Sequence, residues 1–228
     1  VFIDPTTDGF APISDWNGIT LNDTGDVTVV VWSPFREFTM ETDDETVLSR
    51  KMEPGGSIDF KWLPSSVTTC AIIYLRLSGT VETASLPRGL IEFDIMTNQM
   101  AGTFDVSGLP QGIEFVTIAR NKFEGSLDIS SLPPKMSILN ASSNAFSGSL
   151  DFTNLPDTLI ELYLQVNGFA GTINLENLPA QLRNFNIRKN DIGQEALRVG
   201  KPRADFLLFD MDWRRFGYIE DSAGESIG

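Results

Sequence analysis

The chain has 228 residues, 41% of them hydrophobic, and carries 31 acidic against 17 basic side chains for a formal net charge of −14. The length suits a single domain able to bury a sizeable core, and the charge argues against nucleic acid as the main partner. The sequence contains no His, the commonest general base and metal ligand, so an enzyme is not expected.

From the amino terminus, residues 1–55 read as a cap followed by an acidic excursion. Residues 16–32, WNGITLNDTGDVTVVVW, end in a β-branched run that predicts a first strand over Val27 to Trp32. The run Glu41, Asp43, Asp44 and Glu45 reads as a solvated loop. A start at Val1 reads as a processed or trimmed product, which would leave any signal peptide out of view. No apolar run is long enough to span a membrane, and the lone Cys70 allows no disulfide within the chain.

One beat organises residues 56–200. Leu-Pro occurs at Leu63-Pro64, Leu86-Pro87, Leu109-Pro110, Leu132-Pro133, Leu155-Pro156 and Leu178-Pro179, always 23 residues apart. A fixed period of that size marks a solenoid, whose repeats bury their apolar faces only by stacking. Counted from each Leu, apolar residues recur at positions 5, 8, 10, 15, 19 and 21. Position 13 is Asn98, Asn121, Asn144, Asn167 and Asn190, and position 17 is Gly. The alternation Leu162-Tyr163-Leu164 predicts a short strand with one buried face, and its copies in register predict a parallel sheet. Ile173-Asn174-Leu175 alternates the same way and predicts a second, shorter strand on the opposite side. The Asn is expected to bond its own turn and the next coil as a ladder. The Gly is expected to take a positive φ or admit close backbone approach. Cys70 falls on core position 8 and reads as a small buried hydrophobe.

The pattern LxxLxLxxNxFxGxIxLxxLP resembles the leucine-rich repeat. Its Gly-x-Ile half is similar to the plant-type variant and to the repeats of protist, notably kinetoplastid, surface proteins. The resemblance implies a β-rich solenoid with a parallel sheet on the concave face, short second strands on the opposite side and few helices. Residues 16–32 are similar to the amino-terminal cap of plant-type repeat proteins, although Leu21 stands where one of the cap's cysteines is expected. Terminal units depart from the pattern: Leu75 replaces the Asn of the first, and QEALRVG after Asn190 reads as helical. The beat breaks at Lys201-Pro202, so residues 201–228 read as a carboxyl-terminal cap and tail. There Phe206, Leu208 and Phe209 are expected to close the core, ahead of a flexible end, DSAGESIG.

Four surface features are candidates for function. Position 20 supplies Asp59, Glu82, Asp105, Asp128 and Asp151, a candidate row for a basic partner or a cation such as Ca²⁺. The plainer roles of that row are solubility, edge protection and bonding of turn amides. The Ser/Thr row at position 18 is a candidate for O-linked sugars or for an ice- or carbohydrate-binding array. Outward residues of the main sheet, Phe115, Thr117, Ile138, Asn140, Tyr163 and Gln165, form a candidate protein-binding patch. The family resemblance implies that the concave sheet is the ligand surface. Asn22-Asp-Thr24 and Asn140-Ala-Ser142 are glycosylation sequons, and a glycan on Asn140 would obstruct that face.

The chain thus reads as a non-enzymatic protein–protein interaction module without a cofactor or metal, extracellular or at the cell surface. The alternative is a structural subunit of a coat, filament or large assembly, joined head to tail. Charge suggests it: residues 1–110 hold 16 acidic and 6 basic side chains, and residues 183–215 hold 8 basic and 5 acidic.

Overall fold

The computed structural model describes residues 13, 16–34, 55–200 and 206–226, and the acidic run at Glu41 to Glu45 lies outside them. Strands alternate between sheets along the chain. β1 (Ile19–Leu21), β2 (Val27–Trp32) and β3 (Thr69–Ile72) open the main sheet, and β4 (Ser78–Gly79) opens a second. The coils that follow each add a pair: β5 (Glu92–Asp94) with β6 (Gln99–Gly102), β7 (Phe115–Thr117) with β8 (Lys122–Ser126), β9 (Ile138–Asn140) with β10 (Ala145–Gly148), and β11 (Glu161–Tyr163) with β12 (Gly168–Gly171). The carboxyl-terminal coils hold β13 (Asn174–Leu175), β14 (Asn184–Asn186), β15 (Asp191–Ile192), β16 (Gln194–Val199), β17 (Leu208–Asp210) and β18 (Phe216–Glu220).

The nine-stranded main sheet runs β1-β2-β3-β5-β7-β9-β11-β14-β17. All its pairs are parallel except β1 with β2. The strict repeat makes the register exact from rung to rung: Phe115 lies beside Ile138, Ile138 beside Glu161, and Glu161 beside Asn184. Steps lengthen at the two ends of the sheet, where Val29 lies beside Thr69 and Asn184 beside Leu208. The second sheet runs β15-β12-β10-β8-β6-β4, and a third joins β13, β16 and β18.

Two expectations need correction. The second sheet is built from positions 14–17, directly after the Asn, and not from positions 19–21. The expected strand at 19–21 survives as β13, but earlier coils curl there into 3₁₀ turns at Thr83–Ser85, Val106–Gly108 and Ile129–Ser131. A single alternating triplet cannot distinguish a strand from such a turn, and a capping Asp favours the turn. QEALRVG is strand β16, not helix: Leu197 is fully buried, and parallel partners on both sides satisfy the backbone. Tertiary pairing overrides the helix propensity of that segment. The described residues hold no α-helix.

The core is a set of vertical stacks. Position 8 contributes Cys70, Phe93, Val116, Leu139, Leu162 and Phe185, all fully buried. Burial pushes the Cys70 thiol up to about 12, with Asp94 and Glu92 adding to the rise, so it stays a protonated hydrophobe. At position 15, Phe123, Phe146 and Phe169 stack face to face with centroids 6.1 Å apart. Phe206 and Phe209 do close the far end, Phe209 lying 5.1 Å from Phe185, whereas Leu208 is turned outward.

The inward turn between the first two strands is held by Asn. Asn144 Oδ1 accepts from the Phe123 amide of the preceding coil at 3.1 Å. Its Nδ2 donates to Ile118 O of that coil and to Ala141 O and Ser142 O of its own. Asn121, Asn167 and Asn190 repeat this pattern. The ladder therefore ties each coil to the one before it. Asn98 receives both the Leu75 and Leu77 amides, which compensates for the Asn missing at Leu75. To aim the Asn inward, the residue before it adopts the left-handed region: Thr97, Arg120, Ser143, Val166 and Lys189 have φ of 54–60°. Gly79 meets the expected backbone requirement at φ +139°, where an added Cβ would lie 2.6 Å from Ile58 O.

Two outcomes follow for chemical unfolding. Asn144→Ala leaves the Phe123 amide without its partner and removes one of two donors from each of Ile118 O, Ala141 O and Ser142 O, and should cost on the order of 2 kcal/mol. Val166 is 41% exposed and β-branched in a left-handed turn. Val166→Asn should therefore stabilise by about 0.5–1 kcal/mol.

Candidate binding face

The outward side of the main sheet brings most of the expected patch together. Phe115 and Ile138 are neighbours on adjacent strands, which lie about 4.8 Å apart. Thr117, Asn140 and Tyr163 form the next row of the same face, so Tyr163 lies diagonal to Ile138. Phe115 is 39% exposed, and the other members are half-buried. Gln165 stands two residues beyond Tyr163, with its Oε1 buried and unpartnered among the described residues. Asn140 is not a free amide: its Oδ1 accepts from the Ser142 amide and from Ser142 Oγ at 2.7 Å.

The patch is framed differently on its two sides. Toward the amino end, Glu92 and Asp94 occupy β5 beside Phe115 and Thr117. Asp94 is half-buried, and burial pushes its carboxyl up to about 6. The Met96 amide, which donates to Asp94 Oδ1 at 2.9 Å, opposes that rise, and Glu92 adds to it. Toward the carboxyl end, Arg188 reaches Asp210 at 3.4 Å and Asp212 at 3.7 Å. These groups, with Met211, Trp213 and Arg214, line a cavity of about 470 Å³. Sequence reading missed this corner because the last coil is one residue longer, which hides Asp210 and Asp212 from the repeat numbering. Their spacing of two residues was the available signal.

The position 20 row is occupied by local chemistry. Asp59, Asp105, Asp128 and Asp151 each accept from the amide two residues on, at Lys61, Ser107, Ser130 and Thr153. Ser130 and Ser131 hydroxyls hold the Asp128 carboxyl below its usual range, and Thr153 does the same for Asp151. Glu82 instead pairs with Lys61 at 2.6 Å. Among the described residues, no three acidic or thiol side chains are grouped as a metal ion requires. Asn22 is exposed in the β1–β2 turn, where its Oδ1 accepts from the Thr24 and Asp26 amides.

Asp94 supplies a pH dependence with a defined sign. Its folded pKa of about 6 exceeds the ordinary 3.8, so the folded state binds the extra proton and stability falls as pH rises from about 4 to about 6. Two later coils carry Asn at the same position, Asn140 and Asn186, and both make the same bond to the amide two residues on. Asp94→Asn should therefore raise stability at neutral pH by roughly 1–2 kcal/mol and flatten the profile between those limits, as read by urea midpoints.

No protein-family model matches the chain, and no curated protein does. Solved structures do. A plant peptide hormone receptor, RGFR1 in complex with RGF2, matches with a TM-score of 0.58 and 21% identity over 74% of this chain and 28% of the receptor chain. A pollen receptor kinase 3 matches with a TM-score of 0.54 and 18% identity over 90% of this chain and 82% of its own. A TDR receptor matches with a TM-score of 0.50 and 18% identity, covering 73% and 33%. This chain thus spans about 28% of the first of these receptors and most of the second. Among the described residues, no helix is long and apolar enough to cross a membrane. With its parallel sheet, short opposite strands and near absence of helix, the fold is a leucine-rich-repeat solenoid.

Proposed function

We propose that this chain is a non-enzymatic protein-interaction module, acting outside the cell or at its surface, that takes its partner on the outward face of the main sheet. The observation that carries the reading is the exposure of Phe115 beside Ile138 and Tyr163, in a frame of Thr117, Asn140 and Gln165. Apolar and aromatic anchors inside a polar rim are the composition of an interface centre. The Asn ladder behind them fixes the sheet, so little conformational freedom is lost on binding. A receptor of the same fold has been solved with a peptide hormone system, RGFR1 with RGF2, which supports a proteinaceous ligand. We assign any N-glycan to Asn22, which is exposed, because the Ser142 hydroxyl of the other sequon is buried on the proposed face.

Binders selected from a peptide display library against the folded chain test the face. The double variant Phe115→Ala, Tyr163→Ala should weaken most of them by at least about tenfold, while Glu124→Lys on β8 leaves them unchanged. Binders indifferent to the double variant and abolished by Glu124→Lys would move the site to the second sheet. Intact mass after secretion from a eukaryotic host should show one glycan, removed by Asn22→Gln. An unmodified Asn22 sinks that assignment.

A further inference from the structure

On the reading that places binding on the main-sheet face, we infer that the partner is a basic peptide segment in which two Lys or Arg residues, four positions apart, flank an apolar side chain. Across the coils that begin at Leu86, Leu109, Leu132 and Leu155, positions 6–11 carry Glu92, Asp94, Glu114 and Glu161 and no basic residue. All four carboxylates belong to half-buried residues at or beside main-sheet strands. None of them forms an ion pair with a described residue. Basic residues enter these positions only in the next coil, at Arg183 and Arg188. The acidic zone therefore coincides with the apolar patch.

The spacing of the carboxylates sets the spacing of the partner's charges. Glu92, Phe115, Ile138 and Glu161 stand side by side on successive strands. An apolar pair is thus closed at each end by a carboxylate, and the two ends lie three strand spacings, or about 14 Å, apart. An extended peptide laid across the strands turns every second side chain toward the sheet and covers about 13 Å in four residues. Its first and fifth residues then meet Glu92 and Glu161 while the third enters between Phe115 and Ile138. Asp94, two residues along β5 on the same face, adds to the charge at the Glu92 end.

Charge complementarity decides the sign of the partner. Burial and the neighbouring Glu92 raise the Asp94 carboxyl to about 6, opposed only by the Met96 amide. The flanking strands place Ala71 and Thr117 beside Asp94, and Thr69 and Phe115 beside Glu92. Tyr74, Arg76 and Arg120 follow those strands at positions 12, 14 and 12, beyond the sheet, and Glu114 at position 6 adds a further negative charge. Glu161 accepts from Asn184 Nδ2 at 2.9 Å, a neutral donor that leaves its charge uncompensated. Covering such carboxylates with a neutral or acidic partner would desolvate them unpaired, whereas a cationic side chain compensates them.

The peptides selected from the display library test this. Those weakened by the double variant Phe115→Ala, Tyr163→Ala should share the order basic, any, apolar, any, basic. For the tightest of them, Glu92→Gln and Glu161→Gln should each lower affinity about threefold or more, the Gln at 161 keeping an acceptor for Asn184. Glu124→Gln on β8 should leave it unchanged. A bound cation holds Asp94 ionised, so binding releases its proton and is favoured above about pH 6. Affinity should accordingly fall by up to about tenfold from pH 7 to pH 5, and Asp94→Asn should abolish that fall. Face-dependent peptides that are neutral or acidic, or that ignore Glu92→Gln and Glu161→Gln, overturn the inference while the binding face stands. Peptides indifferent to the double variant overturn the face, and this inference with it.

Discussion

The structure depends on how the buried turn after each main-sheet strand satisfies its backbone. The chain must bend sharply inward there, away from water, and a buried carbonyl or amide without a partner is expensive. One Asn per coil resolves this by accepting from one amide and donating to carbonyls of two successive coils. The left-handed residue before it is strained in every coil, and the structure tolerates that strain because the Asn is aimed correctly. Everything outside the turn inherits the resulting spacing.

From that spacing come the vertical rows. Because each coil is fixed to the last by the ladder and by pairing in two sheets, side chains 23 residues apart fall on the same line, in the core as the Phe123–Phe146–Phe169 stack and on the surface as the rungs of the binding face. The capping Asp residues complete the coil on its far side and are largely engaged there. Their regularity belongs to coil closure, and irregularity marks the main-sheet face. Positions 7 and 9 change from Glu92 and Asp94 to Phe115 and Thr117 to Ile138 and Asn140 between neighbouring strands of equal geometry.

Much of this was legible in the residues. Leu-Pro spacing gave the period, inward Leu and Phe gave the core, and the recurrent Asn gave the ladder, because each has one dominant physical use. The misreadings share a cause. Ile-x-Leu alternation and the helix-forming letters of QEALRVG are local signals, while their states are settled by an Asp cap in one case and by flanking strands in the other. The elevated Asp94 carboxyl was also invisible, since it depends on how deeply β5 sits beside Glu92 and not on letter or spacing.

The direction of the Asn bonds has a consequence for synthesis. Each Asn reaches backward, so a coil is completed only when the next one has been made. A chain emerging amino end first would lock its coils in order, each new Asn sealing the turn already outside the ribosome. No Asn follows Asn190 in the described coils. The ratchet therefore ends at the coil of Asn190, and the last turn is held by Arg188, Lys189 and Asp212 instead.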